Sequence, residues 1–256
     1  MKWSGNTVLI TGGASGIGLA FAERFLQAGN DVIIVGRRAD RLKQAKDEHP
    51  ALHTRVCDIS IEAERIALFE WASSTFPELN VLVNNAGIQQ QVNLLDAKED
   101  WGHYQKEISI NVEGPMHVTT LFLPHLLKKT TAALINVSSG LALTPGTWVP
   151  IYSATKAEIH SFTVSLRLQL EYTHVNVIEV LPPAVNTDLG GVGLHTFGAP
   201  LNDFADAVFT ELRSGKEEIG YGGSETRLRA TRDELDEGTR LAWEGFKRNN
   251  PDFLRK

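Results

Sequence analysis

Short apolar runs alternate with longer segments of helical periodicity along the first 180 residues. Runs at residues 7–10, 32–35, 53–57, 81–83, 133–137 and 175–180 predict six strands, and 218–221 predicts a weaker seventh. Most are almost entirely apolar, as expected of strands covered on both faces. The alternation predicts an α/β fold, a single doubly wound Rossmann-type domain of about seven parallel strands with helices on both faces.

The same pattern predicts one domain over residues 1–256, because no repeat or Pro/Ser-rich linker interrupts it. Residues 182–200 are rich in glycine and proline and lack periodicity, so the part from about 188 to 200 is predicted to be a mobile substrate loop. From about 226 to 256 the chain is charged and predicts a helical C-terminal tail, with the acidic run 233–237 facing solvent.

The net charge, the length of the apolar runs and the few cysteines make several classes of function improbable for this chain. The net charge of -6 argues against a nucleic acid or an anionic membrane as the main partner. No apolar run is long enough to span a bilayer, and the first residues lack a signal-peptide pattern, which predicts a cytoplasmic protein. A single cysteine, Cys57, permits no internal disulfide, and the histidines show no metal-ligand spacing, so we expect no metal.

The first strand runs into a glycine-rich turn, Thr-Gly-Gly-Ala-Ser-Gly-Ile-Gly, that opens a helix. Small residues let the backbone approach a pyrophosphate, and the amides at the helix N-terminus attract the anion. The candidate cofactor-binding residues of this turn are Gly12, Ser15, Gly16, Ile17 and Gly18. A Walker loop needs Gly-Lys-Ser/Thr where this chain has Ile-Gly-Leu. An ordinary strand-to-helix turn is the alternative.

The end of the second strand bears on the choice of dinucleotide. An NAD site usually has an acidic residue there, but this chain has Gly36 followed by Arg37 and Arg38. Guanidinium groups suit a 2'-phosphate, so we predict NADPH/NADP+ rather than NADH. Asp40 is the alternative ribose ligand, although it equally suits a cap of a helix starting near Arg41.

Tyr152 and Lys156 are four residues apart in a helical segment, so they share one face. A free tyrosine titrates at about 10, too high for a base at neutral pH. An ammonium group about 4 Å away, at an effective dielectric of about 20, is worth roughly 4 kcal/mol. This pairing predicts that the pKa of the phenol falls by about 3.

Three motifs in this order resemble the short-chain dehydrogenase/reductase family: the turn at 11–18, Asn-Asn-Ala-Gly at 84–87 and Tyr-Ser-Ala-Thr-Lys at 152–156. The resemblance runs from about residue 5 to residue 190. It implies a catalytic set of Asn111, Ser139, Tyr152 and Lys156. In that set Ser139 polarises the substrate oxygen while Ser138 is its structural neighbour. Asn111 holds a water beside the lysine, a role compatible with a hydrogen-bonded helix kink.

The resemblance also implies further cofactor contacts, made by Asp58, Ile59, Asn85, Ala86, Gly87, Tyr152, Lys156, Pro182, Val185 and Thr187. Pro183 departs from the family's usual glycine and removes a backbone donor. The double proline and the 152–156 motif are similar to a subgroup named for D-alanine esterification of teichoic acids. That name records a genomic association rather than a chemistry.

Together these features predict an NADPH-dependent carbonyl reductase or alcohol dehydrogenase that moves hydride between nicotinamide and a ketone or aldehyde. Leu141, Trp148 and Leu189 are the candidate substrate pocket, although core packing is equally compatible with Trp148. The alternatives are an NADH-preferring relative, a sugar-nucleotide epimerase or dehydratase, and a non-enzymatic cofactor sensor. The resemblance implies a homodimer or homotetramer packed through helices 104–124 and 153–172.

Overall fold

Seven parallel strands form one sheet in a computed structural model that describes residues 2–254. The strands are β1 (Thr7–Thr11), β2 (Asp31–Gly36), β3 (His53–Val56), β4 (Leu79–Asn84), β5 (Ala132–Val137), β6 (Val175–Val180) and β7 (Glu218–Ile219). Their order is β3-β2-β1-β4-β5-β6-β7, and every pairing is parallel. The predicted doubly wound α/β fold is confirmed.

Helices cover both faces of the sheet. They are α1 (Gly16–Gln27), α2 (Ala39–Glu48), α3 (Glu62–Thr75), α4 (Trp101–Ile108), α5 (Gly114–Leu126), α6 (Pro150–Gln169), α7 (Leu201–Ser214), α8 (Gly223–Arg227) and α9 (Arg232–Asn249). Side chains alternate along β1, so Val8 and Ile10 join the core under α1, α2 and α7. Leu9 points the other way, into the core under α3, α5 and α6. Burial on both faces explains why β1, β2 and β5 are largely apolar. The edge strand β3 is instead polar and partly exposed.

The strand order reverses between β1 and β4, and this reversal opens a crevice at the carboxyl ends of the strands. The turn after β1, the segment after β4 and the serines after β5 all meet there. The motifs that are far apart in sequence are therefore brought to one edge of the sheet.

The helix expected over about 104–123 is interrupted. A π-helical turn at Ser109–Glu113 separates α4 from α5 and places Asn111 at the irregularity. Such turns divert backbone groups from the regular ladder and often occur at functional positions.

Backbone contacts join the two ends of the glycine-rich segment that follows β6. Val185 and Ala199 form a parallel bridge, and Asn186 N donates to Ala199 O at 2.9 Å. A Cβ on Gly198 would lie 2.8 Å from the Ala184 carbonyl oxygen, so glycine permits this close approach. Residues 187–198 therefore form a loop whose two ends lie next to each other and which lines the crevice. The mobility expected of this loop stays a prediction.

The C-terminal tail is helical, as predicted. Thr231 and Glu234 form a reciprocal capping box that starts α9. Its acidic side chains, including Asp233 and Glu237, are exposed. Within residues 2–254, none of the helices has the length and apolar character needed to cross a bilayer.

Candidate active site

A cavity of about 1070 Å³ lies in the crevice at the carboxyl edge of the sheet. Its lining includes the sequence-predicted residues Gly12, Ser15, Gly16, Ile17, Arg37, Arg38, Asp58, Ile59, Asn85, Ala86, Gly87, Ser139, Leu141, Trp148, Tyr152, Lys156, Pro182, Val185, Thr187 and Leu189. Two predicted residues, Gly18 and Asn111, do not line it. The structure thus brings nearly the whole predicted set to one place.

The glycine turn packs tightly against the end of β4. Gly12 has a φ of 66°, and a Cβ there would lie 2.7 Å from Ala86 Cα. A Cβ on Gly18 would lie 2.4 Å from Asn85 Nδ2, which itself donates to Thr11 O at 3.0 Å. Gly18 therefore permits close packing behind the turn, and its predicted contact with a cofactor stays a prediction.

Arg37 and Arg38 are exposed at one end of the cavity. Arg38 Nη2 donates to Ser15 Oγ at 3.1 Å, which ties the second arginine to the glycine turn. Asp40 lies in the first turn of α2, which starts at Ala39 with Arg38 as its N-cap, and it does not line the cavity. The structure therefore gives no support to Asp40 as the ribose ligand. Asp40 is not the helix cap either, because Arg38 occupies the N-cap position. Arg41, a residue the motifs did not indicate, lines the cavity instead.

Asp58 faces the same end. Its Oδ1 accepts hydrogen bonds from Ser60 N at 3.0 Å and Ser60 Oγ at 2.7 Å. Although burial opposes it, these bonds and the charge of Arg37 hold the pKa of the Asp58 carboxyl below its ordinary value. Cys57, beside it, is buried, and desolvation raises the pKa of its thiol to about 12, so it remains protonated.

At the other end of the cavity, Tyr152 and Ser139 are both buried, and the Ser139 hydroxyl is close enough to oppose the rise that burial causes in the pKa of the phenol. Ser139 Oγ also accepts from Leu141 N at 3.1 Å, which fixes the hydroxyl at the start of a short 3₁₀ turn. Ser138 donates its hydroxyl to the buried Glu179 carboxylate, which is also 2.8 Å from His160 Nδ1. This arrangement leaves Ser139 as the hydroxyl available to a substrate.

Lys156 lies one helical turn beyond Tyr152. Its Nζ donates to Val137 O at 2.9 Å and lies 5.6 Å from the centre of the tyrosine ring. Burial lowers the pKa of Lys156 to about 8 and, helped by the charge of Glu107, raises that of Tyr152 above its ordinary value. The prediction that the lysine lowers the pKa of the phenol is therefore wrong here, because desolvation outweighs the attraction of a cation directed at a carbonyl.

Asn111 holds the backbone after β4. Its Oδ1 accepts from Ile88 N and its Nδ2 donates to Ile88 O, both at 2.9 Å, and Nδ2 also reaches Thr155 Oγ1 at 3.1 Å. Protein groups thus take both donor hydrogens of the amide. Asn111 is a clamp between the π turn, α6 and the cavity floor, and its predicted role with water stays a prediction.

Glu107 is a buried acid that the motifs did not indicate. Its side chain is fully buried, and Oε1 accepts from Gln90 N at 3.0 Å. Within residues 2–254, Glu107 Oε2 and Gln90 Oε1 are buried acceptors without a hydrogen-bond partner. Desolvation raises the pKa of Glu107 to about 7 despite the opposing charge of Lys156. Its position one helical turn before Asn111 was the available signal in the sequence.

The residues predicted to contact the substrate, Leu141, Trp148 and Leu189, all line the cavity, and their contact with a substrate stays a prediction. Trp148 both lines the cavity and packs in the fold, because its ring stacks on Phe246 of α9 at 4.6 Å with an interplanar angle of 3°. Ala242 of the same helix also lines the cavity. The C-terminal tail, which sequence motifs left without a role, therefore forms part of the pocket.

The cavity fits a dinucleotide better than a metal ion. A Cβ on Gly87 would lie 3.3 Å from Asn111 Oδ1 and 3.7 Å from Lys156 Nζ, so this glycine keeps the floor before the lysine open. Basic side chains line one end, and a hydroxyl, a phenol and an amine line the other. No group of three metal-ligating side chains occurs in the part of the chain that the structure describes.

Comparison with known proteins decides the family. Residues 6–192 match the short chain dehydrogenase family, and this match includes all three motifs. The chain belongs to the short-chain dehydrogenase family. It is also 44% identical over 241 residues to DltE of Bacillus subtilis, an uncharacterized oxidoreductase, covering 92% of this chain and 96% of that one. That relative matches the subgroup resemblance seen in the sequence.

Solved structures of short-chain dehydrogenases share the fold. A serine dehydrogenase complexed with NADP+ is 27% identical, with a TM-score of 0.75 over 84% of this chain and 94% of that chain. A 3-ketoacyl-(acyl-carrier-protein) reductase from Brucella melitensis complexed with NADH is 29% identical, with a TM-score of 0.78 over 86% and 98%. This chain is thus an NAD(P)-dependent oxidoreductase of the short-chain dehydrogenase family.

Proposed function

We propose that this short-chain dehydrogenase is an NADPH-dependent carbonyl reductase or alcohol dehydrogenase acting on a ketone or aldehyde. One observation carries the proposal: the Ser139 hydroxyl and the Tyr152 phenol, with Lys156 one helical turn away, line one end of a cavity whose other end has Arg37 and Arg38. These are the groups needed to hold a carbonyl oxygen and protonate it beside a dinucleotide.

Each residue has a distinct task in the reducing direction. When bound, the nicotinamide supplies hydride to the carbonyl carbon. Tyr152 gives its proton to the carbonyl oxygen, and its raised pKa keeps that proton in place until charge develops there. Ser139 donates a hydrogen bond to the same oxygen. Lys156 would hold the nicotinamide ribose and place a positive charge beside the phenol.

The preference for NADPH follows from the arginines. Arg37 and Arg38 line the cavity and Asp40 does not, and two guanidinium groups suit a 2'-phosphate. A similar serine dehydrogenase is complexed with NADP+ and a similar reductase with NADH, so the proposed preference rests on the two arginines of this chain. Replacing both arginines with glutamine should lower kcat/KM for NADPH by tenfold or more while changing that for NADH little.

The proposal is tested by following NADPH oxidation at 340 nm with a panel of aldehydes, aryl ketones and keto esters. We expect turnover with at least one carbonyl class, and a loss of at least a hundredfold in kcat for Tyr152→Phe. A Tyr152→Phe variant that keeps the full rate would contradict the proposed role of the phenol. Tyr172→Phe, which alters a fully exposed phenol, is the matched control.

A further inference from the structure

Helix α8 lies directly against the backbone that follows Ser139. A Cβ on Gly140 would lie 2.9 Å from Ser224 Cβ, so only glycine permits this contact. Ser224 is fully buried, and its Oγ donates to Leu181 O at 2.6 Å and accepts from Tyr221 N at 3.0 Å. The short helix is therefore fixed in position relative to Ser139.

Arg227 follows Ser224 by three residues and lies on the same side of α8. Its Nη1 is 3.6 Å from the position that a Cβ on Gly140 would occupy, and its side chain lines the cavity that contains Ser139 and Tyr152. The guanidinium group thus lies beside the residue that follows the proposed carbonyl-binding hydroxyl.

The charge of Arg227 is not neutralised by the protein. Among residues 2–254 the side chain of the half-buried Arg227 forms no ion pair and donates no hydrogen bond. Glu225, two residues earlier, is occupied by Lys216 Nζ at 3.2 Å and Gly220 N at 3.0 Å. By contrast, Arg229 Nη2 is paired with Glu218 Oε2 at 3.1 Å. A partly desolvated cation without a counter-charge is costly unless a ligand supplies one.

We propose that Arg227 binds an anionic group of the substrate, so that the preferred substrates are small aldehydes or ketones carrying a carboxylate. This inference rests on the function proposed above and names the substrate class of the same site. The planar guanidinium fork matches two carboxylate oxygens. Leu141 and Trp148 line the same cavity and provide apolar contacts for the carbon chain of such a substrate.

The test uses pairs of substrates that differ only in charge. Succinic semialdehyde is compared with its methyl ester, and 4-carboxybenzaldehyde with methyl 4-formylbenzoate, by NADPH-dependent kcat/KM. We expect the acids to be preferred about tenfold or more, and Arg227→Gln to remove that preference mainly through KM while the esters change less than twofold. Arg229 is a nearby surface arginine, and Arg229→Gln should change neither the preference for acids nor kcat/KM for the esters.

Equal wild-type rates for acids and esters would overturn the inference, and so would an Arg227→Gln loss shared by both members of each pair. If no carbonyl is reduced at all, the proposed function fails, and the inference is decided separately by calorimetric titration of succinate and terephthalate into the protein with NADP+. Binding that Arg227→Gln abolishes and Arg229→Gln retains supports the anion site. Binding by neither carboxylate, or equal binding to all variants, rejects it.

Discussion

Burial sets the protonation states of the side chains around Ser139. Desolvation raises the pKa of Tyr152 and lowers that of Lys156 to about 8, since both groups are almost fully removed from water. At neutral pH the phenol keeps its proton and the amine keeps its charge. This combination suits proton donation from the phenol to a carbonyl oxygen.

The pKa of Lys156 leads to a prediction for activity. The amine is charged below about pH 8 and neutral above it, so kcat/KM for carbonyl reduction should fall as the pH rises through about 8. Lys156→Arg keeps its charge throughout this range, so its profile, scaled to its own maximum, should stay flat to about pH 10. A wild-type profile that is flat from pH 7 to 10 would exclude this role of the lysine.

Glu107 leads to a prediction for stability. Its pKa in the folded protein is about 7, above its ordinary value of 4.5, so the folded chain retains a proton that the unfolded chain releases. The contribution of this group to the free energy of unfolding is therefore fully present below about pH 4.5. It is lost as the pH rises to about 7, by about 3 kcal/mol.

Glu107→Gln should remove that dependence, because the amide resembles the protonated acid and supplies a donor for the buried acceptors nearby. Urea unfolding at pH 5 and pH 8 should show a smaller loss of stability in Glu107→Gln than in the wild type, with the variant more stable at pH 8. The exposed Glu237→Gln is the control. Equal pH slopes in wild type and Glu107→Gln would show that Glu107 is ionised throughout.

The sequence was sufficient to identify residues whose roles depend on their spacing along one helix. It was not sufficient to identify residues that reach the site only through tertiary contacts. Tyr152 and Lys156 follow from a four-residue interval on one helix. The pairing of Gln90 with Glu107 joins a loop to a helix, and Arg227 reaches the site only because α8 packs on Gly140. Neither relation has a periodic signature in the sequence.

At the scale of elements, strand positions followed closely from apolar runs, whereas irregular elements did not. The π turn at Ser109–Glu113 looks like continuous helix in a hydrophobicity pattern, because one extra residue in a turn barely alters the periodicity. The tail was predicted as helical, but its contact with the pocket depends on the stacking of Phe246 on Trp148.

That stack makes α9 part of the substrate pocket, so Phe246→Ala should act on the substrate side only. Loss of the aromatic pair removes about 1 kcal/mol of stability and leaves Trp148 without its support. We expect a several-fold higher KM for an apolar ketone and an unchanged KM for NADPH. Leu241 is exposed on the same helix, so Leu241→Ala should change neither the KM for the ketone nor the KM for NADPH. A rise in both Michaelis constants for Phe246→Ala would point to general disruption of the fold.

At the scale of the whole molecule, the reversal of strand order between β1 and β4 creates the site. It brings the glycine turn, the 84–87 motif and the serines after β5 to a single cavity with basic side chains at one end. This convergence was predictable, because carboxyl ends of parallel strands share one edge of a sheet. The position of the loop at 187–198 and of the tail was not, since both depend on packing between segments distant in sequence.

The most direct test of the proposed activity is to measure whether the hydrogen at nicotinamide C4 is transferred to the carbonyl carbon. The protein is incubated with NADPH deuterated at nicotinamide C4, using each C4 epimer in turn, and with the carbonyl compound that it reduces fastest. We predict an alcohol one mass unit heavier, with deuterium on the former carbonyl carbon, from one epimer and not the other. An alcohol without deuterium from both epimers, or no alcohol from any carbonyl tested, would contradict direct hydride transfer in this cavity.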